Sequence, residues 1–272
     1  MNRTAPGLVP RLLGSDPLPT PMRRWEARGP HLWLVRAPEQ PQRQDRDRAP
    51  RPDHGPLPDR GQQQGQALDF ARDTGILDTT ERARAAAFVR DVDRDRYVTA
   101  HVALRRILGA YLGADPARIA FIREPCPCCG APHGRPAVEG TPLHFSLSHA
   151  RELVLIGLAG VPVGVDVEEV PSPRTATDVA ATLHPTERTE LSALPAPSRP
   201  AAFSRCWTRK EAYLKGTGTG LAEDPSITYV GAGATPAALP EWTLTDVRVD
   251  AGYTAACAER RPSPAADVRA GA

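Results

Sequence analysis

The sequence predicts an α+β protein made of two similar halves, with a functional site where the halves meet. Strand-like and helix-like patterns recur twice along the chain in a comparable order, and 272 residues are enough for one large domain or two smaller halves. Apolar residues make up 40% of the chain and charged residues 24%, which excludes a wholly disordered protein. We divide the chain into residues 1–36, 37–78, 79–150, 151–260 and 261–272.

The N-terminal segment contains the first predicted strand, at residues 31–35, where the apolar alternation is typical of a strand. From residue 37 to about 66 the composition changes to Pro, Arg, Gln and Asp without apolar periodicity. This change predicts a solvated insertion or linker that extends to residue 78. A basic arm for nucleic acid is the other interpretation, but interspersed aspartates weaken it. We expect that deleting residues 38–66 leaves activity largely intact.

Two helices are predicted in the first half, residues 79–150. Residues 80–88 begin with a plausible N-cap and continue through good helix formers, and apolar residues at helical spacing indicate a longer helix at 93–112. Four arginines interrupt the pattern of the longer helix: Arg94, Arg96, Arg105 and Arg106. Residues 123–142, rich in Cys, Pro and Gly, are predicted to form a loop.

Strands are predicted at the end of the first half and at both ends of the second half, residues 151–260. Strands are predicted at residues 143–148, 152–159 and 161–167, and again at 226–230, 242–249 and 253–258. Helices are predicted between them, at residues 178–183, 185–194 and 199–215. Residues 261–272 are predicted to be a disordered tail.

Charge and cysteine content exclude several classes of protein. The 34 basic residues nearly balance the 32 acidic ones, which argues against a nucleic-acid coat protein whose affinity rests on global basicity. The longest apolar stretch, residues 153–163, is too short to span a bilayer, and no targeting segment is visible. Five cysteines do not form a disulfide framework for a chain of this length. These observations predict a cytoplasmic protein without a membrane partner.

The chain contains only two lysines, Lys210 and Lys215, and they lie five residues apart in a region predicted to be helical. A chain so rich in arginine would keep lysine where a compact ammonium does what a guanidinium cannot, such as donating a proton or placing a point charge on a phosphate. Chance in a small sample is the other explanation.

The predicted strand at 161–167 ends in paired acids. Alternation along a strand places Asp166 and Glu168 on one face and Val165 and Val167 on the other. Two carboxylates on an otherwise apolar strand repel each other unless a cation lies between them. A hard divalent ion, which prefers oxygen ligands, is the simplest explanation for the pair. A strand that leaves the core with its acids solvated is the alternative.

Two further pairs are candidates for chemistry. Glu211 and Lys215 share one face of a helix; without a functional role they would form a surface ion pair, or Lys215 would offset the helix dipole. Ser148 and His149 end a predicted strand, where a hydroxyl and an imidazole suit phosphate contacts, although a histidine at a turn is often simply exposed. A hydrolase triad is not supported, because no Gly-x-Ser-x-Gly elbow surrounds either nearby serine.

Four motifs occur in order along the chain: Gly134-Arg-Pro136, Phe145-Ser-Leu-Ser-His149, Gly164-Val-Asp-Val-Glu168 and Trp207-Thr-Arg-Lys-Glu-Ala-Tyr-Leu-Lys215. Taken together, they resemble the Sfp-type 4′-phosphopantetheinyl transferases, which move the phosphopantetheine arm of coenzyme A onto a carrier-protein serine. The resemblance covers roughly residues 79–259. The last two motifs match the family signature without departure.

The resemblance implies a catalytic site that uses Mg²⁺. Asp166, Glu168 and Glu211 would hold the ion against the pyrophosphate of coenzyme A, and Glu211 would also act as general base toward the carrier serine. Lys215 would neutralise or protonate the departing phosphate, and His149 would assist as a further catalytic group. The products would be the modified carrier protein and 3′,5′-ADP.

The same resemblance implies a set of residues that bind coenzyme A. Arg135 would contact the 3′-phosphate of the adenosine, and the remaining phosphate and nucleotide contacts would come from Arg84, Arg96, Tyr97, Ser148, His149, Lys210 and Lys215. Solvated helix faces are an equally good explanation for Arg84 and Arg96. We expect a monomer, because the two halves already supply both sides of the cleft. The acceptor could belong to a fatty-acid, polyketide or nonribosomal peptide synthase.

The Cys-rich loop leaves an alternative open. Cys126, Cys129 and His133 look like half of a zinc knuckle, but no fourth ligand is evident, and a rigid loop that delivers residues 134–136 to the ligand is the other interpretation. An Arg-rich zinc-knuckle module that binds nucleic acid is therefore one alternative function. A Mg²⁺-dependent phosphohydrolase using the same acids is another.

Overall fold

The computed structural model describes residues 7–22, 29–37 and 73–262, and it confirms an α+β fold with two sheets. Most of the predicted linker and most of the predicted tail lie outside the described residues. Within the described ranges, no helix combines the length and the apolar character needed to cross a membrane.

The larger sheet has six strands in the order β1-β2-β6-β5-β4-β3. Its strands are β1 (Arg11–Leu12), β2 (His31–Arg36), β3 (Phe121–Arg123), β4 (Pro136–Val138), β5 (His144–Ala150) and β6 (Leu153–Ala159). The smaller sheet has the order β7-β9-β8, with β7 (Val163–Glu169), β8 (Trp242–Val247) and β9 (Tyr253–Arg260). All pairs are antiparallel except the short parallel pair of β1 and β2.

Five α-helices accompany the sheets in the described ranges: α1 (Thr79–Ala86), α2 (Asp91–Leu112), α3 (Pro173–Ala180), α4 (Pro185–Ala193) and α5 (Arg199–Thr217). A capping box between Asp78 and Glu81 starts α1. The two long helices, α2 and α5, end at Gly113 and Gly218, whose φ angles of 63° and 82° are the left-handed conformation that favours glycine at this position.

The core consists of successive layers. Helix α2 covers the outer face of the larger sheet, where Ile107 and Leu108 pack in one cluster with Trp33 and Ile156. The two sheets pack face to face through a second cluster that includes Leu34, Leu155, Val165 and Val167. Helix α5 covers the other face of the smaller sheet in a third cluster, which contains Phe203, Ala212, Trp242 and Ala256. Strand β7 is therefore buried on both faces, one against the larger sheet and one against α5.

The structure corrects several predicted boundaries. Residues 226–230 do not form a strand, because the backbone N–H of Val230 donates to the Glu187 carboxylate (2.7 Å) instead of to a neighbouring strand. The predicted loop at 123–142 contains β4, which pairs with β3 on the other side of the Cys-rich segment. Residues 73–78 are not linker, since they form a short 3₁₀ turn and the cap of α1.

The predicted division between halves also needs correction. The boundary at residues 150/151 assigned β6 to the second half, but β6 lies between β2 and β5 in the larger sheet. A division by sheets therefore falls after residue 159. The reason is the tight turn between β5 and β6, which pairs them as a hairpin with Ala150 opposite Leu153.

Candidate functional site

The site begins where α5 crosses β7. A Cβ on Gly164 would lie 2.0 Å from the backbone oxygen of Ala212 and 2.3 Å from the backbone nitrogen of Gly216, so only glycine permits this approach. The close crossing brings one face of β7 against one face of α5. As the alternation predicted, Val165 and Val167 face the inter-sheet core, and Asp166 and Glu168 belong to the opposite face, toward α5. Helix α5 presents Glu211 and Lys215 to this same region.

Asp166 is the buried centre of the site. Its side chain is 2% exposed, and its Oδ1 atom accepts hydrogen bonds from the Lys215 ammonium (2.6 Å) and the Ser148 hydroxyl (2.7 Å). Lys215 also donates to the Ser148 oxygen at 3.0 Å. The second carboxylate oxygen, Oδ2, is buried without a hydrogen-bond partner among the described residues. A buried anionic oxygen without a partner is costly, which marks this atom as open to a ligand.

Burial raises the pKa of all three acids, and neighbouring carboxylates add to the rise at Glu168 and Glu211. Burial and the neighbouring charges of Asp166 and Glu211 raise the pKa of Glu168 to about 7. Burial raises the pKa of Asp166 despite the opposing effect of Lys215, and burial together with Asp166 raises the pKa of Glu211. Each acid is thus harder to ionise than in water, chiefly because burial removes its carboxylate from solvent.

The carboxylates are close enough to interact but do not form a closed cage. In the part of the chain that the structure describes, only Cys126, Cys129 and His133 bring three potential metal-ligand atoms within 4.8 Å of one another. Asp166, Glu168 and Glu211 do not form such a group in the described residues. Lys215 forms an ion pair with one of the three acids, Asp166.

Serines of β5 connect the two sheets beside this site. The Ser146 hydroxyl accepts a hydrogen bond from the Val165 backbone N–H (3.0 Å), and the Ser148 hydroxyl accepts a longer one from Val167 (3.4 Å). These contacts provide hydrogen-bond acceptors for backbone N–H groups on the outer edge of β7, where the described sheet has no further strand. Ser148 thus supports Asp166 in this structure. Ser146 was not predicted as a site residue, although its i, i+2 relation to Ser148 on a strand could have indicated it.

A cleft with a volume of about 620 Å³ lies next to Lys215. It runs from the end of α5 to α2 and to the β3–β4 hairpin. Its polar lining includes three of the predicted residues and several that were not predicted: Tyr97, Arg135 and Lys215, together with Asp78, Glu81, His101, Arg123 and Ser146. A volume of this size suits a small-molecule ligand.

Arg135 connects this cleft to the end of α5. Its guanidinium donates to the Glu124 carboxylate (2.6 Å and 3.0 Å) and to the carbonyl oxygen of Gly216 (2.7 Å). Its side chain passes directly over Gly218, where a Cβ would lie 2.9 Å from the arginine chain. Arg135 therefore lines the cleft, and its donors are held by protein acceptors.

Apart from Lys210 on α5, the other predicted nucleotide-binding residues lie on α1, α2 and β5. The Tyr97 ring stacks on His101 at 4.0 Å, and burial with nearby acids raises the Tyr97 pKa to about 12. His101 was missed, although it follows Tyr97 by one helical turn. Arg84 is exposed and lies over the Phe88 ring, outside the cleft lining.

Two more predicted residues lie at the margin of the site. The Nε atom of Arg96 is buried without a hydrogen-bond partner in the described chain, and its Nη1 atom makes only a 3.5 Å contact with Asp93. His149 is exposed, and desolvation together with the charges of Lys215, His101 and Arg96 lowers its pKa. The imidazole therefore favours its neutral form.

The phosphate contact predicted for Lys210 does not fit this structure. Its side chain is 1% exposed, and its ammonium is bound by the Glu187 carboxylate (3.0 Å) and the carbonyl oxygen of Thr228 (2.5 Å). Helical geometry explains the difference: Lys210 precedes Glu211 and projects from another face of α5. Lys210 joins α5 to α4, whereas Lys215 belongs to the site.

The Cys-rich segment forms a compact turn beside the cleft. Cys126 is buried, Cys128 and Cys129 are exposed, and the structure contains all three as free thiols. The backbone N–H groups of Cys128 and Cys129 lower the pKa of Cys126. This segment places His133 and the following Gly134 and Arg135 in the cleft lining.

Comparisons with known proteins agree on one family. A family model described as the 4′-phosphopantetheinyl transferase superfamily matches residues 162–257, which contain the β7–α5 site. The 4′-phosphopantetheinyl transferase HetI of Nostoc sp. is 33% identical over 202 residues, covering 72% of this chain and 83% of that protein. The transferase gsp of Aneurinibacillus migulanus is 28% identical over 152 residues, covering 54% of this chain and 59% of that protein.

A third relative, the 4′-phosphopantetheinyl transferase Sfp of Bacillus subtilis, is 23% identical over 148 residues, covering 54% of this chain and 62% of that protein. The chain thus spans about three fifths of the length of the last two relatives and more than four fifths of HetI. Together with the motifs on β5, β7 and α5, these similarities show that the chain belongs to the Sfp type of the 4′-phosphopantetheinyl transferases, a family of enzymes.

Proposed function

We propose that this protein transfers the 4′-phosphopantetheine group of coenzyme A to a serine of an acyl or peptidyl carrier protein, with Mg²⁺, and releases 3′,5′-ADP. The observation that carries the proposal is the convergence of Asp166, Glu168, Glu211 and Lys215 at the crossing of β7 and α5. Family membership favours this reaction over a phosphohydrolase or a nucleic-acid-binding module.

Asp166, Glu168 and Glu211 are the residues we propose to hold Mg²⁺. The residues fit the ion, because Asp166 offers a buried oxygen without a partner among the described residues, and burial raises the pKa of all three acids, a rise that a bound cation would oppose. Carboxylate oxygens are the ligands that Mg²⁺ prefers. When bound, the ion would offset the negative charge of the pyrophosphate and of the leaving group.

Glu211 is the proposed general base. Its raised pKa makes it a better proton acceptor than an ordinary solvated glutamate, and it would take the proton of the carrier serine directly or through water. Lys215 is the proposed partner of the departing phosphate. Its ammonium lines the cleft and already bonds to Asp166, so it lies between the acids and the space for the ligand. His149, near Lys215 and neutral, would donate to a phosphate or assist proton transfer.

The cleft is the proposed site of coenzyme A. Arg135 would exchange its contacts with Glu124 and Gly216 for the 3′-phosphate of the adenosine, to which a guanidinium can bind with two donors. Arg96 has a buried donor that lacks a partner among the described residues, and Tyr97 offers a ring for stacking. Arg84 and Ser148 are also proposed contacts: Arg84 is exposed outside the cleft lining, and Ser148 bonds to Asp166.

The architecture supports a further part of the proposal, that two related α/β halves enclose the site. Each sheet is covered by one long helix, α2 or α5, and the cleft lies between elements of both. The sheets differ in size, with six strands and three. A monomer in the cytoplasm, serving fatty-acid, polyketide or nonribosomal peptide synthesis, completes the proposal.

Mass spectrometry of an apo carrier protein tests the function directly. The carrier is incubated with the full chain, coenzyme A and Mg²⁺, and we expect its mass to increase by one phosphopantetheine group. Asp166→Asn should abolish the increase, whereas Asp178→Asn, a substitution of an exposed acid on α3, should not. Absence of any increase across several types of carrier protein would contradict the transfer. Free phosphate or 3′,5′-ADP released without an acceptor would instead indicate a hydrolase.

A further inference from the structure

The turn between β3 and β4 brings three soft ligand atoms together outside the carboxylate site. The ligand atoms of Cys126, Cys129 and His133 all lie within 4.8 Å of one another, and Cys129 Sγ is 3.1 Å from His133 Nε2. Among the described residues, no other group of three meets this criterion. The catalytic proposal above uses neither the two thiols nor the imidazole.

Backbone hydrogen bonds fold the turn so that these side chains converge. The Cys126 N–H donates to the carbonyl oxygen of Ala131 (2.8 Å), and the Gly130 N–H donates back to the Cys126 carbonyl oxygen (2.8 Å). Gly130 has a φ of 75°, a left-handed conformation that lets the chain reverse directly after Cys129. The His133 N–H then donates to Ala131 (2.8 Å), which directs the chain back toward the thiols. The convergence is therefore built into the backbone.

We propose that Cys126, Cys129 and His133 bind a zinc ion and that water fills its fourth position. Two thiolates and an imidazole are a donor set typical of zinc, and Mg²⁺ or Ca²⁺ would select oxygen ligands instead. Cys128, an exposed thiol of the same turn, is not part of this group of three.

The position of the turn indicates what the ion does. His133 is followed directly by Gly134 and Arg135, and all three residues line the cleft. A Cβ on Gly134 would lie 2.6 Å from the carbonyl oxygen of Glu124, so this segment is already packed tightly against β3. Zinc would fix the exposed end of the turn and thereby hold Arg135 in its place over Gly218. The inference concerns metal binding and does not depend on the transferase reaction.

Metal content of the full chain tests the inference. The protein is purified with a thiol reductant, dialysed with zinc and then against a weak chelator, and its zinc is measured by mass spectrometry. We expect the parent chain to retain one zinc ion and Cys129→Ser and His133→Ala to lose most of it. Cys128→Ser is the matched control, an exposed thiol of the same turn, and should retain the ion.

Cobalt provides a second readout that does not require activity. Co²⁺ in place of zinc should give the thiolate charge-transfer and tetrahedral absorption bands in the parent and in Cys128→Ser, but not in Cys129→Ser. Zinc should also raise the melting temperature of the parent and not of Cys129→Ser. A parent chain that loses zinc to the weak chelator as readily as Cys129→Ser would overturn the inference. Loss of zinc from Cys128→Ser equal to that from Cys129→Ser would overturn the three-ligand assignment.

Discussion

Replacing Glu168 by Gln tests the electrostatics of the carboxylate site through stability. In the folded chain the pKa of Glu168 is raised from 4.5 to about 7, so the folded state binds more protons than the unfolded state across this interval. The free energy of unfolding therefore decreases as pH rises from about 4.5 to about 7. Above about pH 7 this loss of unfolding free energy is complete and stays constant. At about 1.4 kcal/mol per pKa unit the ceiling is about 3 kcal/mol, and partial exposure of the side chain reduces it to about 1–2 kcal/mol.

Urea unfolding at a series of pH values measures this effect. We expect Glu168→Gln to be more stable than the parent by about 1–2 kcal/mol at pH values above about 7 and nearly equal to it at about pH 4.5. Mg²⁺ should stabilise the parent at neutral pH and stabilise the variant less. Glu259→Gln is the control, because burial alone raises the pKa of Glu259 and no neighbouring acid contributes; it should not change the response to Mg²⁺. If Glu168→Gln and the parent lose stability in parallel between about pH 4.5 and about pH 8, the reasoning is refuted.

Three other substitutions separate catalysis from folding. Glu211→Gln should reduce the rate of carrier modification by about 100-fold or more without lowering the melting temperature, because it removes a proposed base at constant volume; near-normal turnover would contradict that role. Lys215→Met should lower the free energy of unfolding by about 2 kcal/mol in urea, because it leaves the 2%-exposed Asp166 carboxylate without its cation. Adding Asp166→Asn should restore most of this loss. An unchanged urea midpoint for Lys215→Met alone would show that the ion pair contributes little. Gly164→Ala should lower the free energy of unfolding by about 3 kcal/mol or more, because its Cβ would lie 2.0 Å from a backbone oxygen of α5. Gly233→Ala is the control and should change it by less than about 0.5 kcal/mol, since the described structure leaves open space around Gly233. Equal effects of the two substitutions would refute the close crossing.

The strands and helices nearest the site were the most predictable part of the molecule. Alternation in Gly164–Glu168 placed both acids on one face, and helical spacing placed Glu211 near Lys215, because these patterns depend only on local geometry. The failures came from tertiary contacts. The segment at 226–230 is apolar enough for a strand, but Glu187, 43 residues away in the sequence, accepts the hydrogen bond of the Val230 backbone N–H. A local pattern contains no information about such a partner.

The burial of a single charged residue can also escape prediction from the sequence, as Arg105 shows. Arg105 interrupts the apolar face of α2, yet it is fully buried, and its guanidinium bonds to Asp78, Glu81 and the carbonyl oxygens of Pro116 and Ile119. Its position could not be predicted from polarity, since the hydrogen bonds that make burial tolerable come from two separate segments, residues 78–81 and 116–119.

The two lysines occupy different environments, and the difference lies in the carboxylates that they contact. The scarcity of lysine predicted special roles for both, and both ammonium groups are bound to buried carboxylates, Lys210 to Glu187 and Lys215 to Asp166. The Glu187 carboxylate is fully satisfied, because it also accepts hydrogen bonds from the backbone N–H groups of His184 and Val230. Asp166 keeps one oxygen without a partner among the described residues. The lysine beside the satisfied carboxylate joins two helices, and the lysine beside the unsatisfied one lies at the site that we propose for a metal ion and coenzyme A.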